Sequence, residues 1–592
     1  MAELATQHPA ALLTPVPTPW GPAGAVVMCL LPILFLILVT MVKRIMLPSR
    51  VGLPAAAALM AVVRLAYLSA PPLEVLPAAL DGCLEALIPL SVVFGAIALF
   101  KTMEYTKCMP WMMLHVKSLS AGNPVAEVFL IGWAFACTIE GIGGFGAPVA
   151  LGAPMLVSLG HEPLPSVVVL VILNSLCSHL GSVGMVVWFS FNDMGLGDAN
   201  ILLIGAKATV MVGVGAFVCA PMAASFLVPW REIFRNWLFI CLSLLSAIVP
   251  TFVVATYSQD FPVVVGGAVS SASVPVDELV EVPPLTLKDT LLRSMPIWLT
   301  VIILLITRVP QMKVKGLVTS TSPSFTVNFG TLGKFSMSSS LVLQLSAILT
   351  SPDASFTYQL LYVPCILPFI AAAVITLLVH RRDLDTPKLW TAPFKEAYAR
   401  MAGTVAAMMG ALALAEMIRT GGAGSPAFIV GYYFSAWLGK GYVAVAGLLG
   451  ALSSFVGGSV MAGNLTFGDI QKDRVAGLLG ALSSFVGGSV MAGNLTFGDI
   501  QKVAAVRIGV PVTSMLALQD ATCCAGKMIC IANILACKAV MNLSHVGEGE
   551  LIKRTALPAL VLIVVSTAMS CLFLFAAPGQ QLVWPDHPLP AA

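Results

Sequence analysis

Long apolar stretches, separated by short polar ones, recur along nearly the whole chain. They cover 25–42, 51–70, 84–100, 128–139, 149–159, 167–191, 201–228 and 237–256. After a polar interval they resume at 297–309, 360–379, 402–414, 427–438 and 443–456; weaker runs reach Cys537, and a strong last one covers 557–576. A bilayer-spanning helix needs about 20 apolar residues, so the pattern predicts about twelve to fourteen crossings. The expected fold class is an all-α polytopic membrane protein with broken or re-entrant segments and inverted-repeat halves. Its expected parts are a Pro-rich tail (1–24), a first transmembrane half (25–256), an acidic outer loop (257–290), a second transmembrane half (291–577) and a C-terminal tail (578–592).

Composition narrows the class. The chain is 58% hydrophobic and 10% charged, against about 25% charged in soluble domains, which excludes a string of soluble domains. The formal charge of +3 is spread over short loops, so no nucleic-acid partner is expected; the lipid bilayer is. Most of the thirteen cysteines fall inside apolar runs, where cysteine reads as a small buried hydrophobe. Cys523, Cys524 and Cys530 have only Asp520 nearby and no metal-ligand spacing, so neither metal nor cofactor is expected. The first 24 residues lack the basic region of a cleavable signal, which makes 25–42 a true first span.

Basic residues in short loops mark the cytoplasmic side. Lys43, Arg44 and Arg50 form one such group, Lys101, Lys107 and Lys117 a second, Arg231 and Arg235 a third, and Arg381, Arg382, Lys388 and Lys395 a fourth. The segment 257–284 has Asp260, Asp277, Glu278 and Glu281 without Lys or Arg, which places it outside, with the N-terminus. A conflict follows. Runs 297–309 and 360–379 then both point inward, and only the short, serine-rich 335–349 is left to return the chain, as a short or re-entrant segment.

The segment from Val445 to Lys472 recurs letter for letter from Val475 to Lys502. Structural repeats diverge while keeping their pattern, so one copy is expected to be supernumerary to the working architecture.

Glu140 stands in "TIEGIGGFGAPVA", within an apolar environment. An acid at membrane depth costs a few kcal/mol and marks a functional site by default. Gly141, Gly143, Gly144 and Gly146 each disfavour helix by about 1 kcal/mol, and Pro148 adds a further interruption. Irregular backbone in a bilayer is tolerated where it lines a cavity or lies buried in protein. Transporters place such helix breaks around anionic substrates and coupling ions. The plainer alternative is that the glycines serve close helix packing and Glu140 reaches a headgroup.

"EGIGGFGAPVA", followed by "ILNS" at 172–175, resembles the signature region of the lactate permease family. The likeness continues through "RSMPIWLTVIILLITRVPQMK" from Arg293, "FVGGSVMAGNLTF" from Phe455 and "AGKMI" from Ala525, in order over most of the chain. The resemblance implies a proton-coupled importer of L-lactate, with D-lactate and glycolate as further substrates. Three features depart from the family. Val460 stands where relatives usually carry an acid, Cys530, Ile531 and Ala532 replace a Ser-Pro-Gln stretch, and the proline after the asparagine motif is missing near Cys177. These alter the second half of the implied site and leave substrate and coupling open. The interval from Glu140 to Asn174 resembles that from Ser459 to Gln519 once one repeated unit is removed, as inverted halves require.

The reading is therefore a secondary transporter of a small organic anion and a proton, multi-pass in the plasma membrane, and not an enzyme. Glu140 is the expected proton-coupling group. Gly143, Gly144, Phe145 and Gly146, with their free backbone N–H groups, are expected to cradle the carboxylate, alongside Asn174, Ser459, Asn464, Lys527 and Arg293. His179 is a lesser proton-relay candidate. Arg64 and Lys207 read as snorkelling stems. The rival readings are a dicarboxylate carrier, coupled to a proton or to sodium, which needs a second cation such as Arg293, and a transport-dead membrane sensor.

Overall fold

The computed structural model describes residues 14–41, 49–111, 123–142, 147–272, 287–308, 313–351, 354–363, 365–384, 390–443, 446–447, 490–529 and 548–575. The first half opens with α1 (Gly21–Met41) and α2 (Ser49–Val62), which continues into a π-helical turn, Val63–Tyr67. α3 (Pro72–Glu85) and α4 (Leu87–Tyr105) follow. Pro72 sits in the first turn of α3, where the missing N–H does no harm and the fixed φ suits a helix. The same device starts α5 (Pro124–Phe129), and there the Asn123 side chain accepts from the N–H groups of Val125 and Ala126.

A π-helical turn at Leu130–Phe135 joins α5 to α6 (Ala136–Ile142), which gives a 19-residue apolar rod that is nearly all buried. α7 (Ala147–Ser158) and α8 (Pro163–Leu176) come next, then a 3-10 turn at Ser178–Leu180 and α9 (Met185–Phe191). α10 (Asp198–Ala224), α11 (Trp230–Arg235), α12 (Trp237–Ala255) and α13 (Pro262–Ala272) complete the half. The second half contains α14 (Leu287–Arg293), α15 (Met295–Arg308), α16 (Val314–Val318), a four-stranded sheet, and a π-helical turn at Ile366–Ile370 that leads into α17 (Ala371–Val379). It ends with α18 (Ala392–Arg419), α19 (Pro426–Leu438), α20 (Val490–Ile508), α21 (Val512–Ile529) and α22 (Glu548–Phe575).

Among the described residues, five helical stretches are long and apolar enough to cross a bilayer, and five further apolar helices are shorter. The chain is a helical, multi-pass membrane protein. α18 packs on α2, α3 and α4 and helps enclose a core around Met60, Val75, Met417 and Ile429. A larger core takes in α8, α10 and α21. α21 is buried from Val512 to Met528, and a helix enclosed on all sides, yet carrying an acid and a lysine, needs partners for both.

Two expectations need correction. Residues 335–349 form neither a span nor a re-entrant segment but part of an antiparallel meander: β1 (Ser324–Asn328), β2 (Lys334–Ser338), β3 (Val342–Ser346) and β4 (Ser355–Gln359). The pairs Phe325–Met337, Phe335–Leu345 and Leu345–Phe356 share one face, as the two-residue period of a strand dictates. The stretch 257–290 is not wholly loop. Within it α13 buries Val263 and Val264 and packs on α6 and α12. Here α6 and α13 touch backbone to backbone: a Cβ on Gly141 would lie 2.6 Å from Val264 N, and one on Gly267 2.4 Å from Thr138 N. Asp260 lies just before this helix and the other three acids lie after it, so the acids flank an apolar helix too short to register as a span.

These findings remove the need for a return crossing at 335–349. Arg293, just before α15, pairs with Asp383, just after α17, at 2.9 Å. His380 contacts the Leu292 carbonyl at 3.0 Å. α15 thus leaves the end at which α17 arrives, and the sheet between them requires no further crossing.

The described residues include parts of both copies of the duplicated segment. Residues 490–502 of the second copy build the first part of α20, with Gly498 against Phe191 and Met194. Most of the first copy lies outside the described residues, but its Ala446 carbonyl accepts from Gln501 Nε2 of the second copy. Among the described residues, the packed part of the duplicated segment thus combines the start of one copy with the end of the other. Excising 473–502 or 445–474 yields the same chain, because the copies are identical. That shortened chain keeps every residue of the packed unit. Its thermal unfolding midpoint in detergent and its transport rate are expected to match or exceed those of the full chain; a loss of folded protein on extraction would show that the extra unit is structural.

Candidate functional site

The end of α6 and the break after α8 meet at Glu140. α6 ends at Ile142, and the chain between α8 and α9 breaks through Ser182, Val183 and Gly184, all with positive φ. The break supplies its N–H groups to the end of α6: Ser182 N donates to Glu140 O at 2.8 Å and Val183 N to Gly141 O at 2.7 Å. Carbonyls left over at a helix terminus are thereby satisfied across the interface. Gly181 leaves room for the acid, since a Cβ there would lie 3.1 Å from Glu140 Oε1. A disulfide, Cys137–Cys177, ties α6 to the end of α8 one turn away, with a Cα–Cα distance of 5.3 Å. The sequence reading took both cysteines for small hydrophobes; their pairing depends on the two breaks lying side by side.

The acid is paired. Lys527 Nζ, from α21, donates to Glu140 Oε1 at 2.7 Å and to Ser178 Oγ at 2.5 Å. Ser178 Oγ lies 2.8 Å from Glu140 Oε1 and 2.9 Å from Asn174 O. All four residues are buried. Glu140 Oε2 and Asn174 Oδ1 have no hydrogen-bond partner among the described residues. The centre thus offers an ammonium, a hydroxyl, an amide and a carboxylate oxygen in a low-dielectric setting, where each polar contact counts for more than it does in water. A small cavity opens beside the disulfide, lined by Trp133, Cys177, His179, Thr209, Thr251 and Val263, among others.

Farther along α21 is a second polar group that sequence reasoning passed over. Asn494 Nδ2 donates to Asp520 Oδ1 at 2.7 Å and to Val186 O at 3.3 Å. Gln501 Nε2 donates to Gln519 Oε1 at 3.1 Å. Asp520 was noted only as a neighbour of cysteines. The available signal was an acid seven residues before Lys527 in an apolar helix, which puts both on one face.

The predicted site residues divide into three sets. Glu140, Asn174 and Lys527 come together. Gly143, Gly144, Phe145, Gly146, Ser459 and Asn464 lie outside the described residues; Asn494, the second-copy counterpart of Asn464, is the one seen in contact with Asp520. Arg293 is a correction. Its guanidinium binds Asp383 and the Thr106 carbonyl (3.1 Å), and none of these partners belongs to the Glu140 group. Burial raises the Asp383 carboxyl, but its hydrogen bond with His380 and the Arg293 charge outweigh this and hold it below the usual carboxylate range.

Arg64 and Lys207 are not snorkelling stems. Arg64 is fully buried and binds Glu74, Thr420 Oγ1 (2.9 Å) and the Met417 carbonyl (3.3 Å). Lys207 is buried and donates to Thr513 Oγ1 and Ser514 Oγ at 2.6 and 2.9 Å. His179 contacts Thr209 Oγ1 at 3.1 Å and the Leu176 carbonyl at 3.3 Å. In all three, a hydrogen-bonding partner from a distant segment replaces the water that a sequence-based reading assumes.

An ion pair buried inside a multi-pass helical bundle is the kind of site that membrane transport proteins build. The family model for L-lactate permease matches residues 25–277, 286–477 and 474–576. The chain belongs to the L-lactate permease family, a family of transporters. The third matched stretch begins at the joint of the duplication. A Haemophilus influenzae protein, provisionally named an L-lactate permease, is 30% identical over 559 residues, covering 93% of this chain and 98% of its own length. The L-lactate permease of Bacillus subtilis is 29% identical over 157 residues, 26% of this chain and 27% of that protein. The glycolate permease GlcA of Escherichia coli is 28% identical over 111 residues, 19% of each chain. The solved structure of MtrF from Neisseria gonorrhoeae, titled as an antimetabolite efflux pump, aligns over 83% of this chain and 81% of its own at 12% identity with a TM-score of 0.34, too low to bear on fold or substrate.

Proposed function

We propose that the protein imports L-lactate, with D-lactate and glycolate as related substrates, together with a proton across the plasma membrane. The observation that carries this reading is the Lys527–Glu140 pair, with Glu140 Oε2 and Asn174 Oδ1 beside it without partners among the described residues. A substrate carboxylate competes with Glu140 for the Lys527 ammonium. The Ser178 hydroxyl offers it a further donor, and Asn174 Oδ1 accepts from the 2-hydroxyl. Glu140, released from its ammonium, is left a buried uncompensated carboxylate and takes a proton, because such a charge is costly to keep. Anion and proton then cross with no net charge, and the proton gradient drives accumulation. Family membership and the lactate and glycolate names of its relatives support this substrate class. The rival dicarboxylate loses its second nominated cation, since Arg293 is bound to Asp383.

The test is labelled L-lactate uptake into proteoliposomes under an inward-acid pH gradient. The unaltered protein is expected to accumulate lactate and to lose the accumulation with a protonophore. Glu140→Gln, which cannot exchange a proton, is expected to cut gradient-driven uptake at least tenfold. Unchanged pH-dependent uptake by that variant removes Glu140 from the coupling, and no uptake of lactate or glycolate by the unaltered chain removes the reading itself.

A further inference from the structure

Asp520 is wholly buried in the middle of α21. Its side chain has one hydrogen bond among the described residues, from Asn494 Nδ2 to Oδ1 at 2.7 Å. Its other oxygen, Oδ2, has none. The contrast with Glu140 is chemical: Glu140 faces an ammonium, whereas Asp520 faces a neutral amide.

The charged groups on the surrounding helices are engaged elsewhere. From α10, Asp198 lies in the first turn and Lys207 donates to Thr513 and Ser514. From α20, Asp499 is near Lys502, Lys502 donates to the Met194 carbonyl, and Arg507 binds Ser435 Oγ and covers the Tyr432 ring. From α22, Glu550 pairs with Arg554 at 3.0 Å and Lys553 is exposed. The turn after α8 brings His179, engaged with Thr209, and α8 itself carries no charged side chain. On α21, Cys523, Cys524 and Lys527 follow Asp520, and Lys527 is bound to Glu140. A buried carboxyl that faces an amide and no cation among the described residues is accommodated as the neutral acid far more cheaply than as an anion.

We propose that Asp520 is where the co-transported proton rests before substrate binds, and that Glu140 receives it once substrate has drawn Lys527 away. The proposal rests on the lactate–proton reading above for its role in transport, but the resting proton is a property of the empty protein. Asp520, Cys524 and Lys527 fall at i, i+4 and i+7 on one helix face, a span of about 10 Å at the α-helical rise. In the transfer the O–H bond on Asp520 breaks and one forms on Glu140. Asp520 then regains a proton from the compartment that supplied the substrate. One proton moves per anion, and no other reactant is needed.

The test is difference infrared spectroscopy of the purified full chain, without substrate, over a pH titration. It follows the carbonyl stretch of a protonated carboxylic acid. Protein labelled with carboxyl-¹³C aspartate is expected to show this band shifted, and protein labelled with carboxyl-¹³C glutamate to show it in place. Asp520→Asn is expected to abolish the band and to cut gradient-driven lactate uptake at least tenfold. Asp520→Glu is expected to restore a band that now responds to the glutamate label, with uptake returning at a displaced pH optimum. A band that follows glutamate labelling in the unaltered protein, or that survives Asp520→Asn, overturns the assignment. Full pH-driven uptake by Asp520→Asn overturns its part in coupling. The labelling arm needs neither a variant nor a substrate, so a failure of the lactate reading leaves it intact, and its own failure is seen directly.

Discussion

Replacing Lys527 with methionine is expected to destabilise the protein by about 3–5 kcal/mol, the cost of breaking a buried ion pair from one side. The reason lies in what remains. Glu140 would keep only Ser178 near Oε1, while Oε2 already lacks a partner among the described residues. Methionine fills much of the space of the lysine stem, so lost volume contributes little. The double variant Lys527→Met with Glu140→Gln removes the stranded charge and is expected to recover most of the stability. Transport is not expected to return, because the ammonium that would bind the substrate carboxylate is gone. Losing one charge-assisted contact corresponds to about a 10- to 100-fold fall in uptake. Unfolding midpoints of the three proteins in detergent, set beside their uptake rates, decide the matter. If the single and double variants are equally stable, the pair does not carry the weight given to it.

Arg64→Met is expected to cost about 2–3 kcal/mol through a different mechanism. The guanidinium joins the π-helical turn after α2 to Glu74 of α3 and to the end of α18, at Met417 and Thr420. Glu74 is partly exposed, with 36% of its side chain accessible, so water softens the loss on that side. The buried Met417 carbonyl gains no such help where the helices close. Arg64→Lys is expected to rescue only part of the loss, since an ammonium cannot reproduce the planar fork. Denaturant unfolding in detergent checks both. A wild-type midpoint for Arg64→Met would return Arg64 to the role of a surface stem.

Much of the architecture was legible because hydropathy reports a local requirement. A backbone in a bilayer must satisfy its own polar groups, so each apolar run becomes a helix whatever surrounds it. The failures have equally local causes. The strand alternation in "SFTVN", "KFSMS" and "SFTYQ" is plain, but in a chain full of spans a short apolar-polar run near Phe335 was weighed as a crossing. α13 is shorter than a bilayer requires and has acids on both sides, so it read as loop. At the site, Glu140 announced itself as an acid beside glycines. Asp520 did not, because no helix break marked it.

By itself, then, the sequence determined that this is a multi-pass helical membrane protein of the L-lactate permease family, with an acid at an interrupted helix. Those features follow from composition, run length and a contiguous motif, each contained within a few turns of chain. What only the tertiary structure decided is which charges meet. Lys527 reaches Glu140 across 387 residues, while Arg293, an equal candidate by sequence, goes to Asp383. Pairing of buried charges depends on how helices from distant segments pack, because each ion accepts the partner that packing brings within about 3 Å and pays heavily for having none. No local pattern encodes that choice.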